Sequence, residues 1–90
     1  MTLDSKYKQE LKAKAHALKP VVLLGNHGFT EAVKKEIDRA LNDHELIKVR
    51  IQNPDRDERK AIFTEICETL SADLVQIIGN IAVLYRKKPD

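Results

Sequence analysis

A mixed α/β chain, a four-stranded sheet with helices on it, is what this sequence predicts, and three observations carry it. An apolar run at Val21–Leu24 lies between two segments of helical periodicity, strict alternation marks Leu46–Ile51, and the stretch from Asp73 to Arg86 reads as two strands around Gly79-Asn80. The order α-β-α-β-α-β-β then gives a four-stranded mixed sheet. Its first three strands run parallel through helical crossovers, and the closing hairpin adds one antiparallel strand. The 90 residues form one domain, residues 1–90, with room for a single modest core.

Tyr7, Leu11, Ala15 and Leu18, with Leu3, repeat at helical spacing, which predicts an amphipathic helix over about Asp4–Leu18, ended by Pro20. Lys6, Gln9, Lys12 and His16 fall on its other side. Val21–Leu24 is apolar throughout, the pattern of a strand buried on both faces or nearly so. After Gly25-Asn26-His27-Gly28, Thr30 can cap a second helix that runs to about Asp43 and turns Val33, Ile37, Ala40 and Leu41 inward. In the next strand Ile47, Val49 and Ile51 share one face, while Leu46, Lys48 and Arg50 share the other, which is therefore wet and basic. Asp55 and Glu58 have capping-box spacing, with Asn53-Pro54 as a competing start, and the third helix buries Ile62, Phe63, Ile66 and Leu70. Strands at Asp73–Ile78 and Ile81–Arg86 close the chain around a two-residue turn.

With 42% hydrophobic and 33% charged residues, the composition is that of a folded soluble domain rather than a disordered chain. No apolar run approaches the roughly 18 residues of a membrane span, and the amino end lacks a signal-peptide core, so the cytoplasm is the expected compartment. The single cysteine, Cys67, rules out an internal disulfide and lies at the edge of the third helix's apolar stripe, where packing is its expected role. His16, His27 and His44 have no ligand-like spacing, so no metal is expected.

The net charge is only +2, but it is unevenly distributed. Residues 1–20 carry five lysines against Asp4 and Glu10, whereas residues 30–45 and 55–70 are each net −2. The positive excess is thus confined to the first segment, to Lys48 and Arg50, and to Arg86-Lys87-Lys88, a segregation that suits a polyanionic partner. Catalysis finds little support. His27, Cys67 and Ser71 have no reason to converge, and the glycine loop lacks both G-x-G-x-x-G and a G-K-[ST] ending, so neither enzyme activity, cofactor nor small-molecule substrate is expected. Spacing alone leaves two readings of Gly25-Asn26-His27-Gly28: a tight strand-to-helix turn, or a loop that clamps a nucleic-acid backbone as the G-x-x-G of KH domains does. Asn26 and His27 at its tip, and a helix N-terminus behind it, favour the second.

Three stretches go further than spacing: 18–31 with the glycine loop, His44-Glu45-Leu46-Ile47-Lys48-Val49, and Gly79-Asn80-Ile81-Ala82-Val83-Leu84-Tyr85-Arg86. Together they closely resemble the YhbY family, the stand-alone bacterial form of the CRM domain, whose plant relatives act in organellar intron splicing. The resemblance implies an α+β two-layer sandwich like the C-terminal domain of bacterial translation initiation factor three, with the final strand inserted between the second and third. It also implies an RNA-binding protein associated with precursors of the large ribosomal subunit, with ribosomal RNA as partner and assembly as its task. The family's G-x-x-G falls on Gly25, Asn26, His27 and Gly28. Lys6, Lys12, Lys19, Lys48, Arg50 and Arg86 are the expected source of the field around it, which gives affinity and salt dependence but little sequence specificity. With two Phe and two Tyr, most of them expected in the core, base stacking is a minor contribution. The expected state is a monomer. The alternative is a protein-interaction module that docks on a ribosomal protein or assembly factor, its basic groups serving solubility.

Overall fold

A computed structural model of the protein describes residues 4–25 and 28–88. Its elements are α1 (Ser5–Ala15), β1 (Val22–Leu24), α2 (Glu31–His44), β2 (Leu46–Ile51), α3 (Arg56–Leu70), β3 (Asp73–Ile78) and β4 (Ile81–Tyr85). The expected order holds, and the sheet runs β1-β2-β4-β3. β1 and β2 are parallel, while β4 is antiparallel to both of its neighbours, so the last strand lies between the second and third. That position explains the apolar composition of β4, since Ala82, Val83, Leu84 and Tyr85 are all buried.

Helices α2 and α3 pack on one face. Ile37 and Leu41, with Phe63, Ile66 and Leu70, meet Val22, Leu24, Ile47, Val49, Ile51, Ala82 and Leu84 in the main core. Helix α1 lies on part of the opposite face, where Leu11 and Ala15 join Val75, Val83 and Tyr85, with Tyr7 and Leu46 against them. The Tyr7 and Tyr85 hydroxyls hydrogen-bond to each other at 2.8 Å, and the two rings meet edge to face with centroids 5.6 Å apart.

The caps follow the sequence closely. Thr30 Oγ1 accepts from Val33 N, and Asp55 Oδ1 accepts from both Asp57 N and Glu58 N. The two candidate starts of α3 cooperate, because Asn53 Oδ1 takes the Asp55 N–H while Asn53 Nδ2 donates to Glu58. Gly79, at φ +59, occupies the first turn position between β3 and β4, where a left-handed residue matches the strand twist.

Three expectations need correction. Helix α1 ends at Ala15 rather than Leu18: Leu18 N–H bonds to Ala15 O in a tighter turn, and Leu18 stands exposed, so the chain leaves the helix well before Pro20. Strand β1 begins at Val22 and buries one face only. Val22 and Leu24 point into the core, while Val21 and Leu23 are 47% and 52% exposed, because β1 is an edge strand and α1 leaves this part of the second face uncovered. The last strand ends at Tyr85, and β3 carries a bulge between Leu74 and Gln76 that no residue signal announced.

Candidate nucleic-acid interface

Strand β1 empties into the glycine turn, whose Gly28 N–H bonds to Gly25 O at 3.1 Å. The two glycines do different things. Gly28 has φ +70, a conformation costly for any residue with a Cβ. Gly25 lies outside that region, and among the described residues a Cβ built on either glycine meets nothing within 4 Å. Internal packing therefore does not require a glycine at position 25; what its missing side chain preserves is open space above the backbone. Asn26 and His27 lie outside the described residues.

Behind the turn, Phe29 packs against the main core and fixes the entry to α2. Thr30 satisfies the third amide of the helix, and the amides of Glu31 and Ala32 have no intrahelical partner, which leaves them for an acceptor at the loop. The Glu31 carboxylate stands in the same first turn and opposes an anion there, so the basic side chains nearby must supply the attraction.

The register places those side chains. Leu23 of β1 is level with Arg50 of β2, two residues before Gly25, and Arg50 is exposed, with no hydrogen bond or ion pair among the described residues. Lys19, Pro20, Val21, Leu23 and Arg50 line one shallow hollow of about 430 Å³ along this edge. Lys48, one pleat below Arg50, is partly committed, its Nζ donating to Leu18 O at 3.0 Å. Lys6 and Lys12 ride on α1 above the same face of the sheet and make no described contact with the loop.

Arg86 is placed elsewhere. It follows β4 at the end where Tyr85 pairs with Leu46, so the length of a five-residue strand, roughly 17 Å, separates it from the loop end of the sheet. Its guanidinium is held by Asp38 Oδ1 at 2.7 Å, Asp38 O, Leu70 O and Asn42 Oδ1, a clamp joining β4 to α2 and α3. Those acceptors occupy the donors an RNA phosphate would need.

The fold brings three other cations toward the loop end. Ile51 N–H bonds to Asn80 O and Gln52 N–H to Leu24 O, so the glycine turn, the 52–55 loop and the 79–80 turn share one end of the sheet. There Arg56, Arg59 and Lys60 line a hollow with Asp57, Ile77 and Gly79, and Arg59 Nη1 donates to Asn53 O. Summing charge over residues 55–70 hides this group. The signal was their i, i+3, i+4 spacing, which puts them on one helix face. Cys67 is buried away from this surface, and burial, with Asp73 and Glu68 adding to it, pushes its thiol up to about 11, so it stays protonated and unreactive at neutral pH.

Comparison with known proteins converges on one family. The family model described as the CRS1/YhbY (CRM) domain matches residues 3–86. A probable RNA-binding protein of Pseudomonas aeruginosa is 47% identical over 89 residues, which cover 99% of this chain and 86% of the relative. An RNA-binding protein of Haemophilus influenzae is 52% identical over 85 residues, with 94% and 86% covered. Among solved structures, the solution structure of a hypothetical protein from Staphylococcus aureus superposes with a TM-score of 0.86 at 34% identity, covering 99% of this chain and 93% of the other.

Proposed function

The chain belongs to the CRS1/YhbY (CRM) domain family, and on that premise we propose that it is an RNA-binding protein that assists assembly of the large ribosomal subunit without catalysis. The observation that carries this reading is Gly25, a glycine that neither backbone conformation nor internal packing demands, set between a helix N-terminus and Arg50. A phosphate passing over the turn comes close to the main chain, meets the first amides of α2, and lies beside Arg50 and Lys19. Asn26 and His27, between the two glycines in sequence, add side-chain donors.

Lys48, Lys12 and Lys6 contribute a longer-range field on the same side of the sheet. Arg86 contributes through its charge rather than through contact, because its donors are taken. Contacts of this kind set position and affinity; recognition of a particular ribosomal precursor then depends on the shape of the RNA and on groups beyond the phosphates.

A salt titration against a fragment of large-subunit ribosomal RNA tests the reading. For about three neutralised phosphates, the logarithm of affinity should fall against the logarithm of salt with a slope near −2, and a K48E/R50E double variant should weaken binding while flattening that slope. Crosslinking in cells should recover RNA from large-subunit precursors. Binding that ignored both salt and charge reversal would instead support docking on a ribosomal protein or assembly factor.

A further inference from the structure

The sheet face shared with α1 is only half covered. Next to the glycine turn, one cross-strand row spans all four strands: Leu23 on β1, Arg50 on β2, Ile81 on β4 and Ile78 on β3. Leu23 is 52% exposed, Ile78 is 56% exposed, Arg50 is exposed and Ile81 is half-buried. The next row along holds Val21, Lys48, Val83 and Gln76; of these Val83 lies under α1, while Val21 is open to solvent. Neither row contains a carboxylate.

Exposed aliphatic groups around a cationic, planar side chain do not suit an apolar protein surface, which would bury the Arg50 guanidinium without a partner. They suit unpaired nucleobases, whose faces lie against methyl groups and guanidinium planes and whose edges accept hydrogen bonds from arginine and glutamine. The row is three strand spacings wide, roughly 14 Å, and begins two residues from Gly25.

We propose that this open face is a base-binding platform, so that the RNA ligand is single-stranded where it leaves the glycine turn, with its backbone over Gly25 and Gly28 and two or three unpaired bases laid across Leu23, Arg50, Ile81 and Ile78. The proposal rests on the RNA-binding reading above and adds to it the class of RNA and a second contact surface. Without an aromatic residue in the row, each base gains less than it would on an aromatic platform, so the face selects unpaired RNA with little preference among bases.

Its test compares a single-stranded RNA of about twelve nucleotides with a duplex of the same length, bound by the wild type and by an L23S/I78S double variant, with thermal melting confirming the fold. The variant changes no charge. Wild type should prefer the single strand, and the variant should lose about five- to tenfold in single-strand affinity with an unchanged salt slope and unchanged duplex binding. An R50Q variant, which keeps a hydrogen-bonding side chain but loses the guanidinium plane, should lose single-strand preference as well. Equal binding of duplex and single strand by wild type, or full single-strand affinity in L23S/I78S, would overturn the platform while leaving the glycine turn as an RNA site. A wild type that dimerises through this face, shown by sedimentation that L23S/I78S makes monomeric with RNA affinity intact, would overturn it too. Failure of the wild type to bind either RNA would instead overturn the RNA-binding reading itself.

Discussion

Gly25 and Gly28 answer to different constraints, and substitution separates them. Gly28 holds φ +70, so Gly28→Ala should cost about 1 kcal/mol of stability, read as a lowered urea midpoint. Gly25 has no left-handed φ, and a Cβ at that position would meet nothing within 4 Å among the described residues, so Gly25→Leu should leave stability within about 0.5 kcal/mol of wild type. The same Gly25→Leu chain should bind RNA about tenfold more weakly, because the leucine fills the space a backbone would use. A folded Gly25→Leu that binds RNA undiminished would make the loop an ordinary turn. Spacing identified the pair; only the dihedral angles told the two residues apart.

Among the elements, β4 shows how one side chain can fasten a strand to two helices. Arg86 leaves its end and bonds to Asp38 and Asn42 on α2 and to the last carbonyl of α3 at Leu70. With Asp38 it forms an ion pair at 2.7 Å that is more sheltered on the arginine side, 18% exposed against 47%. Exposure limits what the pair alone contributes, but loss of all its hydrogen bonds leaves acceptors unmet, so Arg86→Ala should cost on the order of 2–3 kcal/mol in urea unfolding. At permissive temperature its RNA affinity should change less than twofold, whereas a protein-interface or RNA-contact role would show a larger loss without the stability defect. In the sequence Arg86 is one of three consecutive cations, and nothing local distinguishes a clamp from a solvated charge. The partners lie 16 to 48 residues away, which is why charge patterning put it on the RNA surface.

At the scale of the whole molecule, the two cores hold groups that resist losing a proton. Cys67 in the main core is pushed up to about 11 by burial first, and Tyr85 in the α1 core to about 12, chiefly by its hydrogen bond with Tyr7 and then by burial. Both are neutral when protonated, and the unfolded chain gives up these protons first, near 9.0 and 10.0. Stability from this source is therefore complete below about pH 9 and declines as pH climbs through the folded values. The urea midpoint should hold level to that point and then drop, with Tyr85→Phe removing the upper part of the decline; a midpoint constant to pH 11 would contradict it.

Local periodicity and turn chemistry determined the elements by themselves: the alternation of Leu46–Ile51, the caps at Thr30 and Asp55, and the helical stripes of α2 and α3 all stand where the residues put them. These signals are short in range, because a cap or a pleat involves residues within four positions of one another. The tertiary structure decided what depends on neighbours far along the chain. It set β1 at an exposed edge, committed Arg86 to a clamp, and gathered Arg56, Arg59 and Lys60 at the same end of the sheet as Gly25. The insertion of β4 was legible through family resemblance, since parallel order alone allows other arrangements. Whether an apolar run is buried on one face or two is settled by which helix lies over it, and α1, stopping at Ala15, leaves Leu23 and Arg50 open beside the glycine turn.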